Sequence, residues 1–155
     1  MTHLADDTLA SILRMRVVPV VVLDNAEDAA PLGDALLAGG LPLAEVTLRT
    51  AAALESLRIM SSNPDLVVGA GTVITADQVD SAITAGARFI VSPGLSEEVI
   101  ERARHHGVPA IPGIATATEL IRAVALGIDV VKFFPAVPIG GVPAIRALSS
   151  AFPGV

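Results

Sequence analysis

The 155-residue sequence contains no cysteine. That excludes disulfides, thiolate nucleophiles and Cys-ligated zinc or iron–sulfur centres. Tryptophan and tyrosine are also absent. The only aromatic residues are four phenylalanines, too few for a platform on which nucleic-acid bases could stack. Basic charge is scarce: 10 Lys and Arg face 16 Asp and Glu, for a formal charge of −6. A phosphate backbone would meet no electropositive footprint, so no nucleic-acid partner is expected. Long apolar runs are missing as well. The longest uncharged stretches, Gly107–Thr118 and Phe133–Ile145, are interrupted by Pro and Gly, whereas a bilayer span needs about 20 apolar residues. The opening residues mix His3, Asp6, Asp7, Arg14 and Arg16, without a signal-peptide h-region. The expectation is a soluble, cytoplasmic protein with no membrane partner. One scarcity is sharper than the rest. Nine of the ten basic residues are Arg, and the sole lysine is Lys132.

Hydrophobic residues make up 52% of the chain, enough for a core of ordinary size, and the length predicts one domain over 1–155. Short Val/Ile/Leu-rich runs alternate with helical stretches. Val17–Leu23 is nearly all apolar, the pattern of a strand covered on both faces. Leu43–Leu48, Leu66–Gly69, Phe89–Ser92, Ala110–Pro112 and Val130–Phe133 are further strand candidates. Between them stand helix-start signals: Asn25 as a cap for Glu27–Ala38, Thr75 with Gln78 and Thr116 with Glu119 as capping boxes, and Ser96 before Glu97 and Glu98. A leading helix over about Thr8–Met15 precedes them. His105-His106 reads as a solvated helix end, where cations suit the dipole.

The strand starts lie roughly 20 to 26 residues apart. A β-then-α unit repeated at that spacing implies parallel strands with right-handed crossovers. An open doubly wound sheet and a (β/α)8 TIM barrel both satisfy this. The even spacing and the lack of a GxGxxG turn favour the barrel. A barrel needs about 200 residues or more, and only six complete units are present. The expectation is an α/β chain holding about six of eight βα units, a C-terminally truncated barrel. A whole six-stranded open sheet is the alternative.

Lys132 lies in Val130-Val131-Lys132-Phe133-Phe134, where alternation puts Val130, Lys132 and Phe134 on one face. An ammonium among apolar side chains is costly, which favours the neutral amine, a nucleophile toward carbonyls. A snorkelling or carboxylate-paired lysine is the structural alternative. Period two also places Glu45, Thr47 and Arg49 on one face of their strand. Glu45 and Arg49 are about 13 Å apart in an extended chain, too far for an ion pair. Glu45 could shuttle protons for a nearby lysine, or pair with it for structure alone. Arg49 falls just beyond the strand end, where barrels build their sites, and its planar fork suits a carboxylate. Thr72 brings a hydroxyl to the end of Gly69-Ala70-Gly71-Thr72, a segment that a tight turn would also explain. Ser92-Pro93-Gly94 and Ile111-Pro112-Gly113 end the next two strands with similarly small residues. Ile139-Gly140-Gly141 reads as a flexible connection, although its amides could face an anion. No HExxH, EF-hand or clustered Asp/His occurs, so no metal is expected, and neither a P-loop nor a GxSxG motif is present.

Five segments taken together, Glu45-Val46-Thr47-Leu48-Arg49-Thr50, Gly69-Ala70-Gly71-Thr72, Ser92-Pro93-Gly94, Ile111-Pro112-Gly113 and Lys132-Phe133-Phe134-Pro135-Ala136, resemble the 2-keto-3-deoxy-6-phosphogluconate aldolases, also described as 4-hydroxy-2-oxoglutarate aldolases. The likeness runs from about Thr8 to Val155. It implies a class I aldolase on a TIM barrel, a homotrimer, acting on a small 2-keto acid without cofactor or metal. By that resemblance Lys132 forms the Schiff base and Glu45 moves protons. Arg49 holds the pyruvyl carboxylate, and Thr72 lines the same pocket. The products implied are pyruvate with glyceraldehyde 3-phosphate, or pyruvate with glyoxylate from 4-hydroxy-2-oxoglutarate. A galactonate-epimer pyruvate aldolase and a non-catalytic fragment that folds by complementation are the alternatives. The family's phosphate-binding loops after strands seven and eight have no counterpart here, so weak or no turnover of phosphorylated substrate is expected.

Overall fold

The structure is a computed structural model and describes residues 3–155. Parallel strands alternate with helices along the whole of it. Helix α1 (His3–Met15) leads into β1 (Val20–Val21), α2 (Ala29–Ala38), β2 (Leu43–Thr47) and α3 (Ala53–Ser61). Then follow β3 (Val67–Gly71), α4 (Ala76–Thr84), β4 (Ile90–Val91), α5 (Glu97–His105), β5 (Ala110–Ile111) and β6 (Gly113–Ile114). The chain ends with α6 (Ala117–Ala125), β7 (Lys132–Phe133) and α7 (Gly141–Ala151). Strands β1 to β5 form one parallel sheet in sequence order, and β6 pairs in parallel with β7. Strands β5 and β6 are two halves of one extended run around Pro112. The first half pairs back to β4 and the second forward to β7. Pro112 has no N–H to give, but its carbonyl accepts from Lys132 N at 2.9 Å, so the run stays continuous. Six strand positions in sequence order make a partial barrel.

Two apolar clusters separate the faces of this wall. The larger joins Val21, Ala44, Val46, Val68, Ala70 and Ile90 to the helices outside. The smaller joins Leu43, Phe89 and Val91 inside, with Ile12 and Met15 of α1 packed against them from the N-terminal end of the strands. Register explains the division. Val20, Glu45 and Gly69 are cross-strand partners and share the inner face, and Gly113 pairs with Lys132 on the same side. The inner face is apolar at the level of Leu43 and becomes polar toward the strand C-termini.

Several local features differ from the sequence expectation. Val17–Leu23 is not covered on both faces. Val21 is buried against the helices, while Val20 and Val22 face the open interior at about half exposure. Strand β1 has β2 on one side only, so its inner face lacks the neighbour that a closed barrel would supply. Gly69-Ala70-Gly71 is not a turn: β3 runs through to Gly71, and the chain bends at Thr72. Asn25 makes no side-chain cap and begins a short 3-10 turn instead. Thr75 caps α4, but Gln78 reaches back to the Ile74 amide rather than to Thr75. The Thr116–Glu119 box is complete. His106 bonds Asp80 at 2.7 Å rather than water alone.

The excess of Arg over Lys has a structural use outside the barrel. Arg102 grips Asp80 with both arms at 2.7 and 2.8 Å, and Arg122 grips Glu97 with both at 2.7 Å. These forks tie α5 to α4 and α6 to α5, a geometry that an ammonium cannot reproduce. Arg102 and then His106 hold the Asp80 carboxyl down to about 2, and Arg122 lowers Glu97.

Candidate active site

The site is built at the C-terminal end of the inner face. Glu45 sits in the middle of β2, whose five residues are all buried. Its side chain is 5% exposed, and Oε1 lies 3.2 Å from Lys132 Nζ, which arrives from β7 across the interior. The two residues are 87 positions apart in sequence, so only closure of the strand wall brings them together. Lys132 is 24% exposed on its side chain, open enough for a small molecule to reach its amine. Nζ also stands 5.3 Å from the centroid of the Phe134 ring. That ring shares the lysine's face, as strand alternation requires, and draws a cation toward its π surface.

Arg49 and Thr72 form a second pair. Arg49 Nε donates to Thr72 Oγ1 at 3.1 Å. Leu48 N donates to Gly71 O at 2.8 Å, which locks the end of β2 to the end of β3. Thr47 Oγ1 donates to Val21 O, and Thr50 Oγ1 donates to Leu23 O, so the loop after β2 is fastened to β1 as well. Thr72 has φ of +60°. A β-branched residue in the left-handed region is strained by about 1–3 kcal/mol, and such strain persists only where the surroundings enforce it. Arg49 does not bond Glu45, as their spacing along the strand predicts. The inner wall thus holds an amine–carboxylate pair beside a guanidinium–hydroxyl pair. Among the described residues, no group of three or more His, Asp or Glu is spaced to hold a metal ion.

The chemistry does not extend into a neighbouring hollow near the end of the chain. A cavity of about 670 Å³ lies among β6, β7 and α7, lined by Leu13, Ile114, Leu120, Phe133, Ile145 and Leu148. It is apolar, and none of Glu45, Arg49, Thr72 or Lys132 lines it. Helix α7, on its rim, has no buried residue.

Comparison with known proteins bears on what this arrangement is for. The family model for KDPG and KHG aldolases matches residues 9–155. The chain belongs to this aldolase family. It is 49% identical over 143 residues to the 2-dehydro-3-deoxy-phosphogluconate aldolase of Treponema pallidum, covering 92% of this chain and 68% of that protein. The crystal structure of the 2-keto-3-deoxy-6-phosphogluconate aldolase of Zymomonas mobilis with 3-phosphoglycerate superposes with a TM-score of 0.91 at 44% identity, over 97% of this chain and 72% of that one. The Legionella pneumophila KDPG aldolase, with pyruvate captured as a covalent carbinolamine, gives 0.85 at 44% identity, over 89% and 68% of the two chains. The TIM-barrel type of fold expected from the strand spacing is therefore shown, and the family's activity is that of a lyase. No helix among the described residues is long and apolar enough to cross a membrane.

The sequence signal that set Phe134 on the lysine's face was the alternation in β7, whereas Gly71 beside the Glu45 side chain was passed over. For Gly71 there was no such signal, because its neighbour comes from another strand.

Proposed function

We propose that the chain is a Schiff-base aldolase that cleaves 2-keto-3-deoxy-6-phosphogluconate to pyruvate and glyceraldehyde 3-phosphate, with 4-hydroxy-2-oxoglutarate as a second substrate. The observation that carries this reading is the single lysine, partly buried on the inner wall, with a buried carboxylate 3.2 Å from its amine. Glu45 is in reach to take a proton from the ammonium, which frees the Nζ lone pair. The amine adds to the C2 carbonyl and gives a carbinolamine. Proton delivery to its hydroxyl releases water and leaves an iminium. Removal of the C4 hydroxyl proton then breaks the C3–C4 bond. Its electron pair moves into the iminium, the aldehyde departs, and an enamine remains. Protonation at C3 and addition of water release pyruvate and restore the amine. Glu45, directly or through water, is the proton carrier in each step. Arg49 binds the pyruvyl carboxylate, held in place by the Thr72 hydroxyl. The organic iminium is the electron sink, so no cofactor is needed.

These residues serve the pyruvyl half of the reaction. We assign them to one partial barrel domain over 1–155, in a cytoplasmic protein that assembles as a homotrimer. A second reading, a fragment that folds by complementation with another chain, is favoured by the half-exposed Val17, Val20 and Val22 beside the free edge of β1. Folding that depends on protein concentration would support it.

The test uses the lysine count. The chain is incubated with pyruvate, reduced with borohydride and weighed intact. One adduct of about 72 Da, mapped to Lys132 and absent from Lys132→Arg, is the expected result. A folded chain that gains no mass, or gains it only on the α-amine, overturns the reading.

A further inference from the structure

Gly71 is the last residue of β3 and pairs in register with Thr47, two positions beyond Glu45 on β2. Glu45 slants toward the C-terminal end of the wall and lies across the backbone of Gly71. A Cβ built on Gly71 would overlap Oε1 of Glu45 and would come within 2.7 Å of both Cδ and Cγ. Contacts of that length do not occur between real atoms, so the carboxylate would have to leave. Oε1 is also the oxygen that Lys132 Nζ donates to. Glu45 is 5% exposed on its side chain, so solvent offers it little room to move into.

We infer that Gly71 is a positioning residue, whose missing side chain is the seat that holds the Glu45 carboxylate against the Lys132 amine. The inference rests on the aldolase reading for its functional meaning and on geometry alone for its placement. Backbone conformation does not demand glycine here. Gly71 is not among the residues with positive φ, and it sits in a regular parallel ladder. Other glycines on the inner wall answer to other neighbours. A Cβ on Gly69 would meet the Phe89 ring, and one on Gly113 would meet the Pro93–Gly94 peptide. Only at Gly71 does the conflict fall on the proton carrier. Alanine at this position is therefore compatible with the strand and incompatible with the carboxylate where it now lies. The amine keeps its place on β7 and loses the group that takes its proton.

The experiment is a double-substitution cycle with Gly71→Ala and Glu45→Asp, singly and together, in the full chain. Aspartate is one methylene shorter and leaves room for the added methyl. Two readouts are taken on each protein: the thermal midpoint, and the rate at which borohydride traps pyruvate on Lys132. Gly71→Ala is expected to lower the midpoint by roughly 3–10 °C through overpacking. It should slow trapping by about 100-fold, the lower end of what general acid–base groups contribute. In the Glu45→Asp background the same substitution should cost less than half as much in midpoint, and the double variant should trap faster than Gly71→Ala alone. A purely structural glycine would lower the midpoint equally in both backgrounds, and that result overturns the inference. So does a folded Gly71→Ala variant that traps pyruvate at the parent rate. If the parent chain traps no pyruvate, the aldolase reading falls, while the midpoint cycle still decides where the carboxylate sits.

Discussion

Replacing Thr72 by glycine should give a more stable protein than replacing it by alanine. Both variants lose the hydroxyl and its hydrogen bond from Arg49, so the comparison isolates the backbone. At φ of +60° a Cβ crowds the following carbonyl oxygen at a cost of about 1–2 kcal/mol. Alanine retains that cost and glycine removes it. Against this, glycine frees the unfolded chain by about 0.4–1 kcal/mol. The balance favours glycine by roughly 0.5–1 kcal/mol, which reverses the usual order inside a helix or strand. For a chain of this size each kcal/mol moves the thermal midpoint by about 2–4 °C. Calorimetry should therefore find Thr72→Gly about 1–4 °C above Thr72→Ala. Pyruvate trapping should slow by a similar factor in both, since each leaves the Arg49 fork without its anchor. A Thr72→Ala variant as stable as Thr72→Gly would refute the claim that the site stores backbone strain at this residue.

Three further outcomes follow from the packing and the charges. Phe89 is fully buried on the inner face against Gly69, so Phe89→Ala should cost about 3–5 kcal/mol by urea denaturation, a large part of a typical domain's stability. Thr116→Ala breaks the complete capping box of α6 and should cost about 1 kcal/mol, read as a midpoint lowered by about 2–4 °C. Asp80 has its folded pKa depressed to about 2 by Arg102 and His106. Its contribution is therefore present above the unfolded value near 4 and is lost as pH falls from there toward 2. Asp80→Asn should be less stable than the parent at pH 7, and the two should converge below pH 3. Parallel midpoint curves across that window would show that the pair is not linked to folding.

Much of the architecture was legible in one dimension because its causes are local. Strand spacing, turn residues and caps each depend on neighbours a few positions away, and they placed six strand positions and the helices between them. Strand alternation likewise put Glu45 with Thr47 and Lys132 with Phe134, because period two is a property of a single extended chain. What lay beyond the sequence depended on partners far along it. The apolar run Val17–Leu23 looked fully buried, yet burial belongs to the assembly of strands, and β1 has a strand on one side only. The Gly69-Ala70-Gly71 segment looked like a turn because glycine most often signals one. The fold uses it as strand, with the glycines dictated by Phe89 and Glu45 on other strands. The sequence by itself determined which residue types were available for chemistry: one lysine, a carboxylate inside a strand, and a guanidinium at a strand end. Tertiary structure alone decided that the amine meets the carboxylate at 3.2 Å and that the guanidinium meets a hydroxyl on a strained backbone. Those contacts span 87 and 23 residues, and only the register of strands around the wall brings them within reach.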